Sequence, residues 1–244
     1  TFTDIDDRKA IEKKKDEFLS IASHELKTPL TSIKAYVQLL ERSLSKEAQN
    51  VAHTYISRAQ TQLSKLNNLI ADLLDISKIE SGKLKLNKNY FNFEKLLNSV
   101  TDIIYQTHEQ VEIIREGEPV EVDILADEVR IEQVLINYLT NALKYSPNSK
   151  KVIIKTEMGE SFLKVTVKDF GIGIPEGKQK NIFGKFFRVE ESSLRFQGLG
   201  IGLYICSEII RQHQGAFGVV SAEGEGSSFF FTIPANTSQK ARLT

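Results

Sequence analysis

Apolar residues recur at helical spacing through the first third of the chain. Leu19, Ala22, Leu26, Ile33, Val37, Leu40 and Leu44 follow one another at intervals of three, four or seven. Further on, Ala52, Ile56, Ala59, Leu63, Leu66, Ile70 and Leu73 alternate strictly between four and three. A heptad seam sustained this long predicts two helices that pack along their whole length, as in a coiled coil or bundle. The polar break from Ser43 to Asn50 is short enough to fold them into an antiparallel hairpin. Two helices enclose only a thin core, and a homodimer completing a four-helix bundle is the simplest remedy.

The pattern changes after Ser81-Gly82, where the glycine is placed to cap the second helix. Helical periodicity returns at Phe93 to Gln106, Glu128 to Leu143 and Leu199 to His213. Lys151 to Thr156 and Phe162 to Val167 read as strands joined at Met158-Gly159-Glu160. Gly218 to Ala222 and Ser228 to Ile233 read as another pair, turning at Glu223-Gly224-Glu225-Gly226. Strands gathered late, with helices among them, predict an α+β sandwich with the helices on one sheet face.

Composition narrows the classes without choosing among them. The 244 residues include 41% hydrophobic and 26% charged, as in an ordinary soluble protein. Basic and acidic residues balance at 32 each, which gives no reason to expect nucleic acid or an anionic membrane surface as partner. No apolar run reaches the roughly 20 residues that span a bilayer, so this piece is expected in the cytoplasm, a membrane anchor outside its limits being compatible with that. The only cysteine, Cys206, lies in an apolar helical stretch and reads as packed core.

With Leu19 and Leu26 at heptad position a and Ala22 at d, His24 falls at f, away from the seam. Glu25 is its neighbour, Thr28 lies one turn on along the same face, and Pro29 should bend the helix there. An isolated histidine in such a place is ordinarily a solvated polar residue. Here an outward imidazole stands beside a carboxylate that could orient the ring and accept its proton, the arrangement of an activated nucleophile. Thr28 could instead hold a water. The stretch Ser23-His24-Glu25-Leu26-Lys27-Thr28-Pro29-Leu30, after Lys15-Asp16-Glu17-Phe18-Leu19, resembles the phospho-acceptor box of the sensor histidine kinases. The resemblance implies that His24 accepts a phosphoryl group, that Glu25 activates it, and that Thr28 serves in dephosphorylating the partner. His53, His108 and His213 have no such setting and read as structural or solvated.

Three elements of the second half suit a phosphate donor. Asn137, Asn141 and Lys144 share one helix face; an Asn carbonyl suits Mg²⁺ and Lys suits phosphate oxygens. Asp169-Phe170-Gly171-Ile172-Gly173 follows a strand, with a carboxylate able to accept from an exocyclic amine such as that of adenine. Gly198-Leu199-Gly200-Ile201-Gly202 opens a helix and offers bare amides to an anion. Alone, each has a bland reading as a wet helix face or a turn. No strand leads directly into the last, against a Rossmann turn, and no Walker-type Gly-Lys-Ser/Thr occurs.

In this order the elements resemble the GHKL family of ATPases and kinases: Asn box, first Gly box, Phe box (Phe183, Phe186, Phe187) and second Gly box. The likeness runs from Lys83 to Pro234. It implies a Bergerat-type domain binding ATP and Mg²⁺, with Asn141 the metal ligand and Lys144 a phosphate contact. Tyr145 would line the site, Asp169 would read adenine, and Gly171 and Gly173 would shape the pocket. The segment between Phe183 and Gly198 would be a lid with Arg188 near the phosphates. Leu199 replaces a frequent Ser or Thr, leaving only its backbone amide for phosphate. The implied division is 1–15 as a signalling helix from a PAS-like domain, hinted at by Thr3 to Lys9; 16–81 for dimerisation and phospho-acceptance; 83–235 for ATP binding; and 236–244 as a frayed tail.

Three classes compete: a protein-histidine kinase, an ATP-hydrolysing machine and a binding scaffold. Relatives that hydrolyse ATP carry a water-activating Glu one turn before the Mg²⁺ ligand, where this chain has Asn137. That favours transfer to His24 and onward to an aspartate of a response-regulator receiver domain.

Overall fold

The computed structural model describes residues 22–40, 49–108, 110–120, 123–189 and 199–235. The chain divides into two compact units, one of residues 1–83 with 197–201 and the other of residues 84–196 with 202–244.

The first unit is helical. Residues 22–40 form α1, which continues through Pro29, and Gln49–Glu80 form α2. The rings of Tyr36 and Tyr55 stack with centroids 6.3 Å apart, bringing the end of α1 beside the start of α2 as an antiparallel hairpin requires. The seam divides: Ala22 is buried, whereas Val37, Ile56, Leu63 and Ile70 stay exposed. Helix α2 closes as predicted at Gly82, with Gly82 N–H donating to Ile79 O and Lys83 N–H to Lys78 O, the paired bonds of a Schellman cap. The predicted turn, the seam residues Leu19 and Leu44, and the start of the chain through Leu19 lie outside the described residues.

The second unit is a mixed sheet covered on one face by helices. Its elements are β1 (Asn89–Asn92), α3 (Phe93–Thr107), β2 (Glu112–Glu116), β3 (Asp123–Ala126), α4 (Glu128–Lys144), β4 (Lys151–Met158) and β5 (Phe162–Lys168). They are followed by α5 (Glu176–Gln179), α6 (Gly202–Gln212), β6 (Phe217–Ala222) and β7 (Gly226–Pro234). Five strands lie in the order β2-β4-β5-β7-β6, with β2 and β4 parallel and the other pairs antiparallel. Strands β1 and β3 form a separate two-stranded ribbon. Alternate residues Val152 and Ile154, Leu163, Val165 and Val167, and Phe229, Phe231 and Ile233 face inward and are buried. Helices α3, α4 and α6 supply the other half of the core through Leu97, Ile104, Val134, Leu135, Tyr138, Leu139, Ile205 and Ile209.

The four predicted strands and the two earlier helices stand where the periodicity puts them. The third helix starts three residues later than expected: 199–201 are irregular and α6 begins at Gly202. Phe183 is half-buried, its ring 4.8 Å from that of Phe217 and 6.3 Å from that of Phe229, and Cys206 is packed as expected.

Candidate functional site

Helix α4 carries the candidate nucleotide face. Its first turn is fixed by Asp127, whose carboxylate accepts from Arg130 N–H at 3.2 Å as the N-cap and from Asn87 N–H at 2.8 Å. Val134, Leu135, Tyr138, Leu139 and Ala142 bury one side of the helix. That leaves Asn137, Asn141 and Lys144 together on a partly open side.

On that side, Asn141 Nδ2 donates to Asn137 Oδ1 at 2.9 Å. With its NH₂ engaged, Asn141 presents its carbonyl oxygen, the hard donor that suits Mg²⁺. Asn137 is itself pressed against the start of α6: a Cβ at Gly202 would overlap its side-chain amide and displace it. The Asn box and the last glycine of the second Gly box are thus one packed unit. Leu199 and Gly200 precede α6 as irregular backbone, and Gly198 lies outside the described residues.

At the end of α4, Lys144 Nζ sits 5.1 Å from the centroid of the Tyr145 ring. Burial pushes the Tyr145 phenol up, and the Arg188 guanidinium draws it partly back, so Arg188 lies close enough to be felt. The rest of the expected lid, 190–198, is outside the described residues.

Asp169 follows β5 and is buried. Its Oδ1 accepts from Gly171 N–H at 2.9 Å and Ser227 N–H at 3.1 Å. Burial raises the carboxyl pKa; these two amides and the Ser146 hydroxyl pull it down. Ser146 Oγ is itself buried without a hydrogen bond of good geometry. The two amides both serve Oδ1. The loop that follows is tied down by Ile172 N–H donating to Tyr145 O at 3.1 Å and Gly224 N–H to Ile172 O at 2.8 Å. At Gly173, φ is +69° and a side chain would overlap Ala222 O, so both backbone and packing require glycine. Sequence reasoning missed Ser146 and Ser227. Only the turn glycines before Ser227 hint that its amide would reach Asp169.

In the helical unit, His24 is exposed on α1, as its heptad position predicts, and Glu25 is half-buried. Thr28 Oγ1 donates back to His24 O at 2.9 Å, so its hydroxyl proton is engaged while its lone pairs face outward.

A helical hairpin with an outward histidine is followed by an α+β unit with an Asn face and two Gly-rich stretches, a two-part layout that known protein families match. Residues 14–82 match the family of His Kinase A (phospho-acceptor) domains, and residues 126–237 match that of histidine kinase-, DNA gyrase B- and HSP90-like ATPases. The chain belongs to the histidine kinases, as their catalytic core. It is 32% identical over 241 residues to the sensor histidine kinase WalK of Bacillus subtilis, covering 97% of this chain and 39% of WalK. The chain therefore spans about two-fifths of that relative's length. Among solved structures, the histidine kinase AdeS of Acinetobacter baumannii is 26% identical with a TM-score of 0.65, over 88% of this chain and 98% of AdeS. The fold is also that of the histidine kinase ThkA, solved in complex with the response regulator TrrA. That structure is 24% identical with a TM-score of 0.59, over 95% of this chain and 67% of ThkA. Among the described residues no helix is long and apolar enough to cross a membrane.

Proposed function

We propose that this chain is an ATP-dependent protein-histidine kinase that phosphorylates its own His24 and passes the phosphoryl group to an aspartate of a response-regulator receiver domain. The observation that carries the reading is the amide pair Asn137–Asn141. It leaves a carbonyl oxygen for a hard cation and offers no carboxylate to activate water, which suits transfer to a protein acceptor over hydrolysis.

Asn141 would hold Mg²⁺, and Lys144 and Arg188 would meet the phosphates. Asp169 would accept from the adenine amine through Oδ2, with Tyr145 lining the base. When bound, Mg²⁺ neutralises charge on the transferring phosphates. His24 attacks the γ-phosphorus of ATP: a nitrogen–phosphorus bond forms, the bond to the β–γ bridging oxygen breaks, and ADP leaves. Glu25 takes the imidazole proton, and Thr28 orients water when the partner's phosphoaspartate is hydrolysed. The second Gly box, Gly198 to Gly202, supplies backbone amides for the phosphates.

The exposed seam residues Val37, Ile56, Leu63 and Ile70 support a homodimer through the hairpin, since a second copy would cover them. The receiver-domain partner accompanies a phospho-acceptor histidine, and ThkA, alike in fold, has been solved with its regulator. The domain limits we favour are 1–15 for a linker from a PAS-like input domain, 16–81 for dimerisation and phospho-acceptance, and 83–235 for ATP binding. The test is incubation with γ-labelled ATP and Mg²⁺. Label that enters the wild type, is lost in acid and is absent from His24→Ala supports the reading; equal labelling of His24→Ala contradicts it.

A further inference from the structure

His213, which ends α6, is read from sequence as structural or solvated. It is buried to 2% exposure, and both of its ring nitrogens are engaged. Nδ1 lies 2.8 Å from Ile209 O, a carbonyl that can only accept, so Nδ1 carries the proton. Nε2 lies 3.0 Å from the backbone N of Asp127, a group that can only donate, so Nε2 is the bare acceptor. The ring is thereby fixed as one neutral tautomer.

Asp127 is the N-cap of α4, and the contact therefore pins the start of α4 to the end of α6. Ten residues along from Asp127, near the middle of α4, Asn137 packs on Gly202 at the start of α6. From Asp127 to Asn137 α4 advances about 15 Å, and from Gly202 to His213 α6 advances about 16 Å, at roughly 1.5 Å per residue. The two spans match, so the antiparallel pair is held at both ends of α6, against the start and the middle of α4. Sliding α4 by even part of a turn would break the His213 contact and move Asn137, with the Asn141 amide bonded to it, off Gly202.

We propose that His213 is a positioning residue that sets the register of α4 against α6, holding Asn137, and through it Asn141, against Gly202 only while Nε2 is unprotonated. The proposal rests on the reading of α4 as the nucleotide helix. A proton on Nε2 would set two N–H groups head to head and release the first turn of α4. Lys88 and Asp127 are the charged groups that act on the ring: the lysine ammonium disfavours the imidazolium and the Asp127 carboxylate favours it. The carboxylate already serves Asn87 and Arg130 amides, and burial outweighs it, holding the imidazole pKa below its ordinary value.

The test has two arms on the whole chain. In ¹⁵N-histidine-labelled protein, long-range proton–nitrogen correlation should give His213 a protonated Nδ1 and a bare Nε2 at neutral pH. In Mg²⁺-ADP titrations, His213→Leu should bind roughly three- to tenfold more weakly at pH 8, the effect of losing one buried acceptor. His213→Gln, whose side-chain oxygen keeps an acceptor that does not titrate, should retain affinity and lack the acid-side weakening of the wild type. A protonated Nε2 at neutral pH, wild-type affinity in His213→Leu, or an identical acid limb in His213→Gln would overturn the proposal. Failure of the wild type to bind ADP at any pH would instead sink the nucleotide reading, and the NMR arm would still judge the tautomer.

Discussion

Asn141 Nδ2 donates to Asn137 Oδ1 at 2.9 Å, one helical turn apart on α4. The bond fixes which end of the Asn141 amide faces outward. Asn141→Ala should remove the gain in ATP affinity that Mg²⁺ confers, because the oxygen ligand is gone. Asn137→Leu keeps that ligand but frees its orientation, and should weaken Mg²⁺-dependent binding roughly three- to tenfold. Calorimetric titration with and without Mg²⁺ separates the two.

Gly202 packs directly on the Asn137 amide. Gly202→Ala should push Asn137 aside and so disturb Asn141 at second hand. We expect nucleotide affinity to fall at least as far as in Asn137→Leu, with circular dichroism unchanged. Wild-type affinity in Gly202→Ala would contradict the packed unit described here.

Asp169 commits Oδ1 to two backbone amides, and the proposed adenine contact falls to Oδ2. Asp169→Asn keeps an oxygen for those amides but replaces the other with a donor, which cannot receive an amine. Affinity for ATP should drop on the order of 10- to 100-fold, and preference over GTP should shrink, because a buried donor then faces a donor. Competition against a fluorescent nucleotide reads both effects.

Asp72 on α2 has its carboxyl pKa pushed up to about 6, by burial first and by neighbouring Asp75 second. The folded value is above the unfolded one of 3.8, so the folded form binds the proton more tightly. Stability from this group is therefore fully present below pH 3.8 and is lost as pH rises through about 6. Asp72→Asn should raise the melting temperature at pH 8 and change it little at pH 4. The reverse order would show that Asp72 is instead held as the carboxylate.

The parts of this chain legible in its sequence are those governed by local periodicity or by chemistry concentrated in a few neighbouring residues. Heptads marked the hairpin, alternation marked β4, β5, β6 and β7, and the Asp169 and Gly202 boxes stood out by composition. The short β1 and β3, four residues each, carry too little alternation to register and exist because each pairs with the other across the chain. Strand β2, Glu-Ile-Ile-Arg-Glu, is an edge strand whose charged flanks hide its apolar centre. The start of α6 was placed three residues early because Leu199 and Ile201 continue its apolar rhythm while the glycines among them take irregular backbone. Long-range polar contacts left no trace at all: His213 reaches Asp127 across 86 residues, and neither residue's neighbourhood signals the other.

The central claim is that His24, outward on α1, receives the γ-phosphoryl group of ATP. Mass spectrometry of protein quenched at neutral pH after incubation with Mg²⁺-ATP locates that group directly. The account predicts a single phosphorylated peptide with the modification on His24, vanishing on mild acid treatment and absent from Asn141→Ala. Phosphate on a serine, threonine or another histidine with His24 unmodified would contradict it.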